Sequence, residues 1–220
     1  MATIIFDFDG TLHDSMHIYR AALNRGYQWL VDQGHAKPRV LTEADMEANI
    51  GLTPKEAWAR MAPEIPWEIS QQAAARVGAI MDELIDDGTA RLFPGIPEML
   101  QQVKDAGHTM VFLSNCRNAY KDAVRRAFGF DTWFSAYYTS EQFGGIPKEA
   151  IFETIREDVA GPYVMVGDRD KDLAVAFVHG LPSIGCLYGY GSREELAGAT
   201  YLAARPSEIP SLIENALVVS

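Results

Sequence analysis

The sequence predicts an α/β protein, a doubly wound parallel sheet interrupted after its first strand by an all-helical module. Three observations carry this expectation. An apolar strand opens the chain, a helical pattern runs from about Ser15 to Gly88, and strand-like and helix-like segments alternate after Arg91. In the opening strand, Ile4-Ile5-Phe6 runs straight into Asp7-Phe8-Asp9-Gly10. Residues i and i+2 of a strand point the same way, so Asp7 and Asp9 are expected to project together from its tip.

The helical stretch is clearest at Ala73, Val77, Ile80, Met81, Leu84 and Ile85, which recur at steps of three and four, with Gly88 as the C-terminal stop. Thr53-Pro54-Lys55-Glu56 opens another helix, with a hydroxyl N-cap, proline at the first helical position and a capping-box glutamate. Further along, strands are expected at Thr109–Leu113, Ala136–Thr139, Tyr163–Val166 and Ser183–Leu187. Helices are expected at about Pro97–Ala106, Asn118–Phe128, Glu149–Glu157 and Asp170–Val178. Such alternation argues for a parallel sheet covered on both faces, the Rossmann-like arrangement. Right-handed crossovers then bring the C-terminal ends of the strands to one edge, where open α/β sheets bind ligands. The helical module would sit over that edge as a lid.

Composition narrows the partners. A hydrophobic content of 48% with 22% charged residues fits a soluble globular chain of one domain plus an insertion. MATIIFDF lacks the features of a signal peptide, and no apolar stretch approaches the roughly 20 residues that span a bilayer, so a cytoplasmic protein with no membrane partner is expected. Cys116 and Cys186 form no CxxC pair, which points to reduced thiols and no structural zinc. The formal net charge of −11 and the lack of a basic cluster disfavour nucleic acid. A small phosphorylated metabolite remains compatible, because a bound cation reverses the local field. The chain is expected to be a monomer or weak homodimer.

The strand ends carry the chemistry. Asp7 and Asp9 close the first, Ser114 and Asn115 the second, and Gly167-Asp168, continuing to Asp170 and Asp172, the fourth. An acid pair at a strand tip reads either as an Asp-Gly turn or as a cation site. Lys148 starts a helix, where the macrodipole favours anions. Alone it reads as a surface lysine offset by Glu149; an anion bound at the helix start explains its position better. Asp168 and Asp172 are four apart and are expected to share a face at a helix entry. Several carboxylates without matching cations suit Mg²⁺.

Taken together, DFDGTL at 7–12, Ser114 in LSNC, Lys148 and GDRDKD at 167–172 resemble the four motifs of the haloacid-dehalogenase-like superfamily of phosphatases. PGIPEML at 94–100 resembles the segment by which the chain re-enters its core in that family, and the segment at 189–196 resembles its phosphoglycolate-phosphatase-like members. The resemblance implies a core formed by residues 1–14 and 92–220 and a helical cap at 15–91. It also implies that Asp9 favours phosphoryl transfer, since dehalogenating members lack an acid two residues after the nucleophile. Asp7 is then the nucleophile and Asp9 the general acid and base. Mg²⁺ is held by Asp7, the Asp9 carbonyl and Asp168, with Asp172 in support, and Ser114, Asn115 and Lys148 hold phosphate oxygens. A phosphomutase using the same acids, and a non-catalytic binding module on the same fold, are the competing readings. His13 could line the entrance, although a histidine beside a loop is more often structural. Of Asn49, Lys55 and Arg60 in the cap, at least two are expected on a solvated face.

Overall fold

A computed structural model describes residues 1–219, so the last residue of the segment 92–220 lies outside the described residues. The chain runs β1 (Thr3–Phe6), α1 (Met16–Asp32), α2 (Glu43–Glu47), α3 (Pro54–Met61), α4 (Trp67–Asp86), α5 (Ile96–Asp105) and β2 (Thr109–Ser114). It continues through α6 (Asn118–Ala127), β3 (Phe134–Thr139), α7 (Lys148–Asp158), β4 (Tyr163–Gly167), α8 (Asp170–His179), β5 (Ser183–Cys186), β6 (Tyr201–Ala203) and α9 (Ile209–Val219). The strands form one sheet in the order β3-β2-β1-β4-β5-β6, with every pairing parallel.

Alternation along β1 shows how the sheet acquires two buried faces. Ile4 and Phe6 join Phe112, Val166 and the inner sides of α5 and α9, while Ile5 joins Val111, Met165 and the inner sides of α7 and α8. Both faces are covered, which is why these strands read as continuous apolar runs. Chain order reverses at β1: the strands after it build outward through β2 and β3, then return to β4 on its other side. That reversal opens a crevice beyond the C-terminal ends of β1 and β4.

Helices α1 to α4 are inserted between β1 and α5 and have a core of their own, in which Leu23, Trp58, Met61 and Val77 pack together. The expected cap on α3 is present: Thr53 Oγ1 accepts from the Glu56 N–H at 3.4 Å and Glu56 Oε2 accepts from the Thr53 N–H at 2.8 Å. Among the described residues no helix is long and apolar enough to cross a membrane.

Two elements lie beyond what periodicity revealed. β6 has three residues, two of them half-buried at the sheet edge, too few to show a period. The IPSLIENALVV run of α9 packs Ile209, Ile213 and Ala216 into the main core, yet Pro210 in its first turn obscures the start. β3 also begins earlier than Ala136, at Phe134, with a register shift opposite Met110 and Val111.

Candidate active site

A tight turn after β1 builds the centre of the site. The Asp7 N–H donates to Val166 O at 2.9 Å, extending the β1–β4 pairing one residue past the strand. Phe8 is fully buried, and its carbonyl accepts from the N–H groups of Thr11, Leu12 and His13 at 3.2, 2.8 and 2.9 Å. With Phe8 anchored, Asp7 and Asp9 line one cavity of about 140 Å³ between the sheet edge and the inserted helices. Gly10 makes the turn at φ +90°, where a Cβ would be strained and would collide with the Asp168 carboxylate.

Asp7 is 3% exposed, and its Oδ1 accepts from Lys148 Nζ at 2.5 Å. The same ammonium donates to Asp172 Oδ1 at 2.6 Å. Lys148 is thus no surface lysine: it is 3% exposed and points from the first turn of α7 into the carboxylates. Burial alone would lower its pKa, but Asp172 and Asp7 hold it above the ordinary lysine value. Burial and then Asp172 push the Asp7 carboxyl well above the usual carboxylate range, against the pull of Lys148. The lysine therefore stays charged here despite its burial, because carboxyl groups are in direct contact with it.

Asp168 and Asp172 do not share a helical face as expected. Asp168 follows the last residue of β4 and precedes the Arg169 N-cap of α8, whereas Asp172 lies inside the first turn and caps the Arg169 N–H at 3.0 Å. They converge nonetheless. One oxygen each of Asp7, Asp168 and Asp172 lies within 4.8 Å of the others, and all three residues are buried. Asp168 accepts from Thr11 Oγ1 at 3.1 Å and from the Tyr190 N–H at 2.8 Å. Burial and then Asp172 raise its carboxyl to about 7.

Several partners of these acids are not legible in the sequence. Asp9 Oδ1 accepts from the Tyr120 hydroxyl at 2.8 Å and meets His13 Nδ1 at 3.0 Å. Tyr120 comes from the buried side of α6, an aromatic indistinguishable in sequence from a core residue. The segment 189–196 frames Asp168, since neither Gly189 nor Gly191 has room for a Cβ against it, and Glu195 pairs with Arg169 at 2.7 Å. Ser114 and Asn115 line the cavity with Asp7, but the Asn115 amide is engaged with the inserted helices, donating to Gly51 O at 2.9 Å. Arg169 Nη1 also crosses to them, donating to Ile50 O at 2.5 Å, and Lys171 pairs with Glu56 at 2.7 Å. Lys55 and Arg60 are exposed, as expected for at least two of the three, while Asn49 is buried and lines the cavity. The Cys116 thiol lines it too; burial pushes it up to about 12, so it is not a thiolate at neutral pH.

The donor set fits a hard divalent cation: three buried carboxyl groups face one ammonium, and their oxygens converge. Both oxygens of Asp172 are already engaged, one by Lys148 and one by the Arg169 N–H, so it supports rather than leads such a site.

The chain is similar to several known proteins. A 5'-nucleotidase of Pseudomonas aeruginosa is 36% identical over 110 residues, covering 48% of this chain and about half of that protein, at 50%. A phosphoglycolate phosphatase of Synechococcus elongatus is 25% identical over 217 residues, covering 95% of each. The crystal structure of a predicted phosphatase from Clostridium acetobutylicum has the same fold, with a TM-score of 0.83 at 24% identity over 97% of this chain and 98% of that one. The model of the haloacid dehalogenase-like hydrolases matches residues 1–180, which together with the fold makes this chain a member of that family.

Proposed function

We propose that the chain is a Mg²⁺-dependent phosphatase that hydrolyses a small phosphomonoester through an aspartyl-phosphate on Asp7. The supporting observation is the buried Asp7–Lys148–Asp172 arrangement at the edge of a cavity that also holds Asp9. Lys148 fixes one Asp7 oxygen, leaving the other to attack phosphorus in line. As the P–O ester bond breaks, a proton carried on Asp9 passes to the leaving oxygen. Asp9 then takes a proton from water as it attacks the phosphoryl group, releasing inorganic phosphate and regenerating Asp7. Tyr120 and His13 orient Asp9 for both transfers. Lys148, Ser114 and the N–H groups beside it hold the other phosphate oxygens, where charge spreads in the transition state. Asp7, the Asp9 carbonyl and Asp168 would hold Mg²⁺, which supplies charge neutralisation between nucleophile and phosphate. Residues 15–91 act as the cap that excludes water.

The test is a panel of phosphorylated metabolites assayed for inorganic phosphate with Mg²⁺ and with EDTA. Turnover that EDTA abolishes supports the proposal. Transfer of the phosphoryl group to a sugar in place of water would mark a mutase, and ligand binding without turnover a mere binder.

Two further outcomes are expected. Asp9→Asn lowers kcat by roughly 10²–10⁴-fold while the aspartyl-phosphate remains detectable on activated substrates, which need no leaving-group proton. Stability should also depend on pH and metal together. Asp7 and Asp168 have folded pKa values above their ordinary ones, Asp168 at about 7. Their contribution is therefore complete in acid, below the ordinary carboxylate value, and is lost as pH rises through the folded value. In EDTA the protein should melt a few degrees higher at pH 6 than at pH 8, on the order of 1–2 kcal/mol. Mg²⁺ should stabilise it more at pH 8, because it competes with protons for the same oxygens. Melting curves in both buffers check this, and a Mg²⁺ effect larger at pH 6 would contradict it.

A further inference from the structure

Resting on the phosphatase reading, we infer that the preferred substrate has a leaving group with a flat, apolar ring bearing a hydrogen-bond donor, and that short carboxylated esters such as phosphoglycolate are poor substrates. The cavity above Asp7 and Asp9 is walled by Tyr19, Leu23, Trp58, Val77 and Met81 from α1, α3 and α4. Two aromatic rings within an aliphatic lining favour a planar ring over a hydrated chain.

Charge argues in the same direction. The charged residues lining the cavity are Asp7, Asp9 and Arg117. Arg117 already has a carboxylate partner: its Nη2 donates to both Asp82 oxygens, at 3.0 and 3.2 Å, which offsets much of its charge. Gly78 lets the guanidinium lie flat on α4, where a Cβ would come within 2.7 Å of it. A second anionic group on the substrate would thus enter a largely apolar chamber beside two acids, where the one lining cation among the described residues is already paired with Asp82. Burial without such a partner is strongly unfavourable.

Asn49 supplies the polar contact that such a ring needs. It is 4% exposed and its Nδ2 donates to Met61 Sδ at 3.8 Å, yet its Oδ1 has no partner among the described residues. A buried amide oxygen with nothing donating to it is the position for an N–H or O–H of the ligand. Nucleobases and hydroxylated or aminated aryl groups share this chemistry.

The experiment compares kcat/KM of the wild-type protein with Mg²⁺ for nucleoside 5'-monophosphates, an aminophenyl phosphate, phenyl phosphate, phosphoglycolate and glycerol 3-phosphate. Donor-bearing ring esters are expected to exceed phosphoglycolate by about tenfold or more. A preference for nucleotides over the aminophenyl ester would identify a nucleoside as the source of the ring, and the reverse a simple aryl group. Asn49→Ala should raise KM for donor-bearing esters with kcat little changed and leave phenyl phosphate unaffected. A merely structural role would move all of them alike. Phosphoglycolate or glycerol 3-phosphate turned over as well as the ring esters would overturn this inference and leave the phosphatase reading intact. Hydrolysis of none of them would overturn both. The wild-type panel decides the matter even if the Asn49 variant fails to fold.

Discussion

Asp7→Asn abolishes phosphate release, by about 10⁴-fold or more, while the protein keeps its fold and its melting temperature changes little. Asparagine matches aspartate in volume and retains an oxygen to accept the Lys148 bond now made at 2.5 Å. It also removes one of three crowded carboxyl groups, relieving repulsion with Asp172 and Asp168 that raises the Asp7 pKa in the native protein. The stability terms therefore oppose one another, whereas the chemical term does not: an amide oxygen cannot form the acyl phosphate. Steady-state phosphate release together with thermal unfolding separates the two. Substantial residual turnover in a folded Asp7→Asn protein would remove the nucleophile from Asp7, and with it the mechanism proposed above.

What the sequence made legible follows from how each feature is encoded. Asp7, Asp9, Ser114 and Asp168 sit where apolar runs stop, and a parallel sheet buried on both faces writes those runs continuously, so the stops are visible. Lys148 was legible only as a cation in the wrong place, at a helix start; the carboxylates that hold it come from β1 and α8 and meet it only in the folded chain. Tyr120 was hidden for the opposite reason. It satisfies the α6 burial pattern so well that nothing in the period distinguishes a tyrosine bonded to Asp9 from one that merely packs. Asp168 shows how spacing misleads: a separation of four implies a helical face, but the chain is still leaving β4 at Asp168 and the helix starts two residues later. β6 lay beyond reach because three edge residues carry no pattern at all.

Lys148→Ala should lose roughly 10²–10³-fold in kcat/KM and, separately, a large part of the protein's stability. Lys148 is the ammonium between Asp7 and Asp172, with side chains 2%, 4% and 1% exposed respectively. Breaking a buried pair by removing one partner typically costs about 3–5 kcal/mol, because the remaining charge stays buried without compensation. Here three carboxyl groups would be left together with no cation. The sign of the pH dependence follows. Lys148 opposes the upward shift of Asp7, so without it that carboxyl moves higher still and takes up a proton more readily. The variant's deficit relative to wild type should shrink as pH falls from 8 to 6, and Mg²⁺ should shrink it at pH 8, since either supplies the missing positive charge. Activity should not recover with stability: neither a proton on Asp7 nor a cation beside it replaces a donor placed to hold a phosphate oxygen, and a protonated nucleophile is disabled. Unfolding free energies at the two pH values, with and without Mg²⁺, set against kcat/KM under the same conditions, test both halves. A deficit that stays constant with pH would show that Lys148 contributes packing rather than charge, and near-normal turnover in the variant would remove the lysine from the phosphate site.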